Sequence, residues 1–213
     1  MVELISRFSK VYKSQDIRKF LVGFGVKVQE DNFKGPFVNC ETGSIYYGEF
    51  VKGFFHGNGL HLLPNGTLCV GEYVYGSLEK TATIIFPSGD VYKGSFKDDK
   101  ANGFGTYTKS NGSCISGKFE NDLPHGGITE KWVDGTIFEG NYSQGKKNGI
   151  GRILFCNRDC YEGEFKDGTF CGKGTFTNQN GDQYVGDFLE GKMQGKGKMS
   201  YKNGNTYEGE WSF

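Results

Sequence analysis

Tyr161-Glu-Gly-Glu-Phe165, followed by Gly168 and then by Gly172-Lys-Gly174-Thr-Phe176, is the stretch from which the fold of this 213-residue chain is read. Its central glycine is one of eight, Gly48, Gly71, Gly94, Gly117, Gly140, Gly163, Gly186 and Gly209, which follow one another every 23 residues. A fixed period of a few tens of residues marks one small supersecondary unit stacked on copies of itself, each completing its burial on its neighbours. Function in such an array belongs to a surface and not to a single catalytic pocket.

Take the periodic glycine as offset zero. Offset −2 is Tyr46, Cys69, Tyr92, Ile115, Phe138, Tyr161, Tyr184 and Tyr207, and offset +2 is Phe50, Tyr73, Phe96, Phe119, Tyr142, Phe165, Phe188 and Trp211. Alternation with period 2 puts these positions on one face of a strand, two rings flanking a gap that rings of the adjacent strand can fill. The opposite parity at +1, with Glu49, Glu72, Lys118, Glu164, Asp187 and Glu210 among its members, reads as the solvent side of an antiparallel sheet.

Turn residues recur in the same frame. Gly43, Gly66, Gly89, Gly112, Gly135, Gly181 and Gly204 stand at offset −5, where only Arg158 breaks the series; glycine after asparagine is a hairpin signal because it accepts positive φ. Glycine pairs at +9 and +11, such as Gly57 and Gly59 or Gly149 and Gly151, open a second strand whose +13 position is apolar in Ile84, Tyr107, Ile153, Phe176 and Met199. Each repeat therefore reads as a β-hairpin.

The quoted stretch resembles the MORN (membrane occupation and recognition nexus) repeat, whose consensus is Tyr-x-Gly-x-aromatic followed by Gly-x-Gly. The resemblance covers about four-fifths of the chain, in eight copies that keep phase. Two copies depart from it: the second has Cys69, Lys80 and Ala82, and the fourth has Ile115 and Ile128, where the consensus has its aromatic and glycines. The expected fold is an all-β repeat, an elongated single-layer twisted antiparallel sheet of stacked β-hairpins with a short N-terminal helix. Roughly 15 strands at about 4.8 Å would make a ribbon about 70 Å long.

Residues 1–40 form a leader and 41–213 the repeat array. Residues 1–20 lack glycine, and Leu4, Ile5, Phe8, Val11 and Tyr12 recur at helical spacing while Arg7, Lys10, Lys13, Arg18 and Lys19 supply charge. This reads as a basic amphipathic helix, suited to an anionic membrane, an acidic partner, or a cap on the first sheet edge. Gly23-Phe-Gly25 and Phe33-Lys-Gly35-Pro-Phe37 suggest an irregular cap hairpin. Val2 after Met1 leaves no myristoylation signal, and no signal peptide or membrane-spanning run is legible. The last repeat, ending Trp211-Ser212-Phe213, offers an edge strand to a partner strand or a second copy.

Charge is balanced, 25 basic against 25 acidic residues, which argues against nucleic acid as a partner. Cys40, Cys69, Cys114, Cys156, Cys160 and Cys171 mostly differ in frame offset and contain no Cys-x-x-Cys, so they read as independent reduced thiols, and Cys156, Cys160 and Cys171 match no metal-ligand spacing. His56 and His125 share offset +8, a turn position; no nucleophile is paired with a histidine, and the Gly-x-Gly pairs lack the third glycine of a nucleotide loop. No catalysis, metal or cofactor is expected.

The leading reading is a non-catalytic scaffold or adaptor that binds protein through its aromatic face, Tyr46, Phe50, Tyr92, Phe96, Phe138, Tyr142, Tyr161, Phe165, Tyr184, Phe188, Tyr207 and Trp211. Proteins resembling it occur in cytoskeletal, ciliary and axonemal assemblies, which implies a cytoplasmic address there. The resemblance also implies two other readings: a peripheral tether to anionic phospholipids, carried by the basic leader at the membrane periphery, and an accessory subunit of an enzyme complex. An edge-to-edge homodimer is a further partner class.

Overall fold

The computed structural model describes residues 34–212. Two compact units divide the chain, Met1–Ser110 and Asn111–Phe213. The first holds β1 (Lys34–Val38), β2 (Ile45–Val51), β3 (Phe54–Leu62), β4 (Leu68–Val74), β5 (Ser77–Ile85), β6 (Val91–Lys97) and β7 (Lys100–Thr108). The second holds β8 (Cys114–Glu120), β9 (Leu123–Lys131), β10 (Ile137–Ser143), β11 (Lys146–Leu154), β12 (Cys160–Lys166), β13 (Thr169–Thr177), β14 (Gln183–Leu189), β15 (Lys192–Ser200) and β16 (Thr206–Trp211). Within each unit the strands lie in chain order and neighbours are antiparallel, so the fold is the expected all-β sheet of hairpins. The helix expected in residues 1–20 and the Gly23-Phe-Gly25 segment lie outside the described residues. β1 is the described part of the expected cap, and it pairs with β2 through a register slip between Lys34 and Phe37.

The tight hairpin turn sits at offsets +4 and +5, which the sequence reading left unmarked apart from Gly168. Asp167 and Gly168 take φ of 50° and 90°, and Lys52-Gly53, Tyr75-Gly76, Asp98-Asp99, Asn121-Asp122, Gln144-Gly145 and Glu190-Gly191 are likewise positive at both residues. Two left-handed residues in a row make the type I′ turn, whose twist matches that of the flanking strands. The glycines at −5 instead close a wider connection between hairpins. There the Leu63 N–H donates to the Thr67 carbonyl at 2.9 Å and the Gly66 N–H to the Leu63 carbonyl at 2.9 Å. Arg158 keeps that geometry with φ 71°, its N–H bonded to the Phe155 carbonyl, so the one break in the glycine series is a break in residue type alone.

The +9 glycine marks a bulge. Gly163 pairs with Gly174, but the next residue, Glu164, pairs with Cys171, leaving Gly172 and Lys173 as extra residues on β13. The Lys173 N–H donates to the Glu164 carboxylate at 3.0 Å, and the Asn58 N–H to that of Glu49 at 3.2 Å. The recurrent acid at +1 thus satisfies a backbone donor that the bulge frees from the ladder, a role the solvent-side reading had not given it. Successive hairpins are also tied at their wide turns: the Asp90, Asp159 and Asp182 carboxylates accept from the backbone N–H of Ser110, Gln179 and Lys202 in the next turn, at 2.8, 2.7 and 2.9 Å.

The paired glycines at zero and +11 exist because a ring lies on them. A Cβ on Gly163 would stand 2.6 Å from the Gly174 Cα, and one on Gly174 would stand 2.6 Å from the Tyr161 ring. Gly163→Ala should therefore lower stability by about 2 kcal/mol or more through overpacking. Arg158→Gly should raise it by up to about 1 kcal/mol by relieving a left-handed side-chain clash. Urea denaturation midpoints at unchanged m value test both.

Candidate functional site

The aromatic face has two tiers. Tyr161 lies over its own glycine pair and donates its hydroxyl to the Glu164 carbonyl at 2.8 Å and the Cys171 carbonyl at 3.3 Å. Tyr46 and Tyr184 repeat this, bonding the Glu49 and Asp187 carbonyls at 3.2 and 3.0 Å. The gap between the −2 and +2 rings is thus filled by the ring of the same strand, not by a ring of the adjacent strand as expected: Phe138 lies on Gly140 and Gly151 in the same way without a hydroxyl, so the bare glycine pair sets the pose and the tyrosines add the carbonyl bond. The Tyr161 ring meets Phe165 and Phe188 edge-on at 5.3 and 4.9 Å and stacks on Phe170 at 3.8 Å, interplanar 12°. Tyr46 does the same with Phe50 and Tyr73 at 5.2 and 5.4 Å, and stacks on Phe55 at 3.8 Å. Tyr46, Phe138, Tyr161 and Tyr184 thereby each touch the +2 ring of their own hairpin and of the next, in the edge-to-face geometry that aromatic quadrupoles favour. Burial, then neighbouring Cys171 and Glu164, hold the Tyr161 phenol above its usual pKa. It stays a hydrogen-bond donor at neutral pH.

Of the expected partner-binding rings, Tyr46, Tyr92, Phe96, Phe138, Tyr142, Tyr161, Phe165, Tyr184 and Phe188 are buried, Phe50 and Trp211 are half-buried, and Tyr207 is exposed. They form the floor of the face. Above them stands an outer tier from offsets +7 and +13, of which the sequence reading singled out only the +13 residues as apolar. In the second unit Phe170, Phe176 and Met193, all half-buried, surround a hollow of about 470 Å³ that Phe188, Gly191 and Lys192 complete. The leader residues Arg7, Lys10, Lys13, Arg18 and Lys19 lie outside the described residues.

Where the repeats of Gly117 and Gly140 meet, the outer tier is ionic. Glu130 at +13 is 7% exposed and accepts from the Tyr142 hydroxyl at 2.6 Å and from Lys147 Nζ at 2.7 Å. Lys147 occupies the +7 position that Phe170 holds two strands on, and its ammonium stands over the rings of Trp132, Phe138 and Tyr142 at 4.7, 5.0 and 5.3 Å. The cation replaces the stacked ring, and the carboxylate neutralises it. Burial and then the bond to Glu130 raise the Tyr142 phenol far above its ordinary pKa. No regular signal in the frame announces this pair.

Two further features bear on chemistry. Opposite the aromatic face, the second unit carries a groove of about 840 Å³ floored by Gly163, Gly174, Gly186 and Gly197 and walled by charges that include Lys196 and Glu210. Lys173 there pairs with Asp187 at 2.6 Å. In the first unit His61 at +13 sits among Tyr46, Phe55 and Tyr73, with Nε2 buried and unpaired. All six cysteines are unpaired, and burial followed by Asp99 pushes the Cys69 thiol up to about 12. Among the described residues no cluster of His, Cys, Asp or Glu is placed to hold a metal ion, and no helix is long and apolar enough to cross a membrane.

The MORN repeat family model matches residues 46–68, 92–114, 138–160, 161–183 and 184–206, together more than half of the chain. No curated protein matches it. Among solved structures, the chain is similar to the SAS-4 TCP domain of Drosophila melanogaster in complex with a proline-rich motif of Ana2, at 14% identity and TM-score 0.46, over 71% of this chain and 83% of that one. It is also similar to the E1021V mutant of the TCP10 domain of Danio rerio CPAP, at 13% identity and TM-score 0.33, over 82% and 93%. Similarities this slight leave function to be argued from the residues of the chain itself.

Lys147→Ala strands a buried carboxylate and should cost about 3 kcal/mol. The double variant Glu130→Leu with Lys147→Phe, which restores the apolar tier of other repeats, should melt at or above the parent temperature. His61 has its pKa lowered from 6.5, chiefly by burial and against an upward pull from Asp99. The unfolded chain therefore binds its proton more readily, and the stabilisation is complete above about pH 6.5 and lost as pH falls below it. Denaturant titrations between pH 7 and 5 should show a fall in stability that His61→Phe reduces.

Proposed function

We propose that this chain, which belongs to the MORN-repeat family, is a non-catalytic scaffold that seats protein partners on the aromatic face of its second unit. The observation that carries the reading is the half-buried tier of Phe170, Phe176 and Met193 around an open hollow on a sheet face whose floor is already filled. Apolar side chains left at the surface above a rigid floor are the usual anchors of an interface. The inner rings Tyr161, Phe165 and Phe188 act as their support, so the sequence-expected site contributes through stiffness and the outer tier through contact.

The array comprises eight copies, three more than the family model matches. In support, the copies at Gly71 and Gly117 close through the same left-handed pair of turn residues, Tyr75-Gly76 and Asn121-Asp122, and Gly209 faces Gly197 of the copy before it as Gly163 faces Gly151. The non-catalytic reading is supported by what the acids do: Glu49 and Glu164 hold bulges, Asp90, Asp159 and Asp182 hold turns, and Glu130 is committed to Lys147. The assembly is cytoplasmic and cytoskeletal or ciliary. A second copy of the chain, paired edge to edge through β16, is a further partner of this reading.

Detergent fractionation of source cells followed by lysine crosslinking mass spectrometry tests the scaffold. The native protein should stay in the detergent-resistant pellet, with crosslinks from Lys192 at the rim of the hollow to filament or axonemal proteins. Phe176→Ser with Met193→Ser should reduce those crosslinks at least tenfold while the circular dichroism spectrum is kept. Release with membrane lipids, and sedimentation with anionic vesicles that is lost when residues 1–19 are removed, would replace the scaffold by the phospholipid tether.

A further inference from the structure

The reverse face of the first unit, on the far side of the sheet from the inner rings, is apolar and buried although no described strand lies over it. Tyr47, Leu60, Leu68, Val70 and Ile85 form one cluster there, 6%, 1%, 3%, 2% and 5% exposed. They are cross-strand neighbours: Tyr47 faces Leu60, Leu60 faces Val70, and Leu68 faces Ile85. The same offsets in the second unit are mostly polar, and of the apolar exceptions there, Ile137, Leu154 and Val185, the last is informative. Val185 stands at offset −1, as Val70 and Tyr47 do, and is 50% exposed. A valine at this position of a bare sheet face is half open, whereas Val70 is closed. The partly buried residues packed on the cluster, Ile45, Leu62 and Val91, belong to the same face of the same sheet, so they can shield its sides but not its top.

We propose that residues 1–20 of the chain lie across this reverse face of the first unit and are its cover. The chain arrives at the right place: Lys34 pairs with Gly48, and a Cβ on Gly35 would stand 3.1 Å from the Tyr47 ring, so the leader enters the sheet beside the cluster. The pattern has the right size. The spacing of Leu4, Ile5, Phe8, Val11 and Tyr12 would put them on one face of a helix over about 12 Å, at 1.5 Å per residue. From Tyr47 on β2 to Ile85 on β5 is three strand spacings, about 14 Å. Charge is compatible: residues 1–20 carry five basic and two acidic side chains, and Glu49, Glu72 and Glu79 stand at the same parity as the cluster on its flank, Glu72 paired with Lys80 and Glu49 and Glu79 each accepting a backbone N–H. The 13 residues from 21 to 33 reach about 40 Å when extended, ample to return the segment over the face.

Benzoylphenylalanine in place of Phe8 in the full chain tests the docking. Irradiation should join it within one molecule to the peptides that hold Leu60, Leu68, Val70 or Ile85, and Phe8→Asp with Val11→Asp should raise trypsin cleavage after Arg7 and Lys10 at least tenfold in the otherwise folded protein. A covalent dimer would assign the face to a second copy and overturn the proposal. Attachment to anionic vesicles in place of the sheet would overturn it in favour of the membrane, and photoproducts confined to solvent would overturn it by showing an undocked segment. None of these outcomes touches the partner face of the second unit, whose crosslinks through Lys192 are read separately.

Discussion

A phenol ring laid on a pair of glycines is the contact from which the rest of this structure follows. It needs both Cα atoms bare, which is why the glycines at zero and +11 face each other, and where the ring is a tyrosine the bulged backbone gives its hydroxyl an acceptor at the following carbonyl. The ring then offers one face to a stacked +7 side chain and its edges to the +2 rings of two hairpins. One layer of sheet has no second layer against which to bury apolar area. Here the first tier of rings serves as that second layer, and the hairpins adhere because each ring belongs to two of them.

This explains how much of the fold was legible. The glycine period, the −2 and +2 rings and the +13 apolar positions are all direct imprints of the ring-on-glycine contact, so the strands and their buried face could be read from residue type. The type I′ turns were harder, since Asp98-Asp99 and Asn121-Asp122 reach positive φ without glycine and Lys52, Tyr75 and Glu190 are not residues that announce a turn. There the strand twist overrides local preference. The acid at +1 was read as a solvated residue because alternation reports which face a side chain occupies and not which backbone donor it satisfies.

The candidate site was less legible for a related reason. Periodicity picked out the rings that repeat most faithfully, and those are the ones buried most completely, Phe138, Tyr161 and Tyr184 among them. Positions that vary from copy to copy, Phe170, Lys147 and Met193 at +7, lie above them and meet the surroundings. In a repeat array the constant positions make the sheet, and the varying ones give each stretch its own surface. The Glu130–Lys147 pair is the sharpest instance, an ion pair set at positions that are mostly apolar in the other copies.

The 23-residue frame has a genetic corollary. Because the hairpins share one frame of turns and bulges, and most of them the ring contact as well, a segment copied in tandem and in phase arrives with both of its mating surfaces already correct. A copy out of phase by one residue would turn its rings to the wrong face and leave its glycines opposite side chains. Growth of such a chain by duplication is therefore confined to whole periods, after which the +7 and +13 positions are free to diverge while the frame beneath them stays uniform.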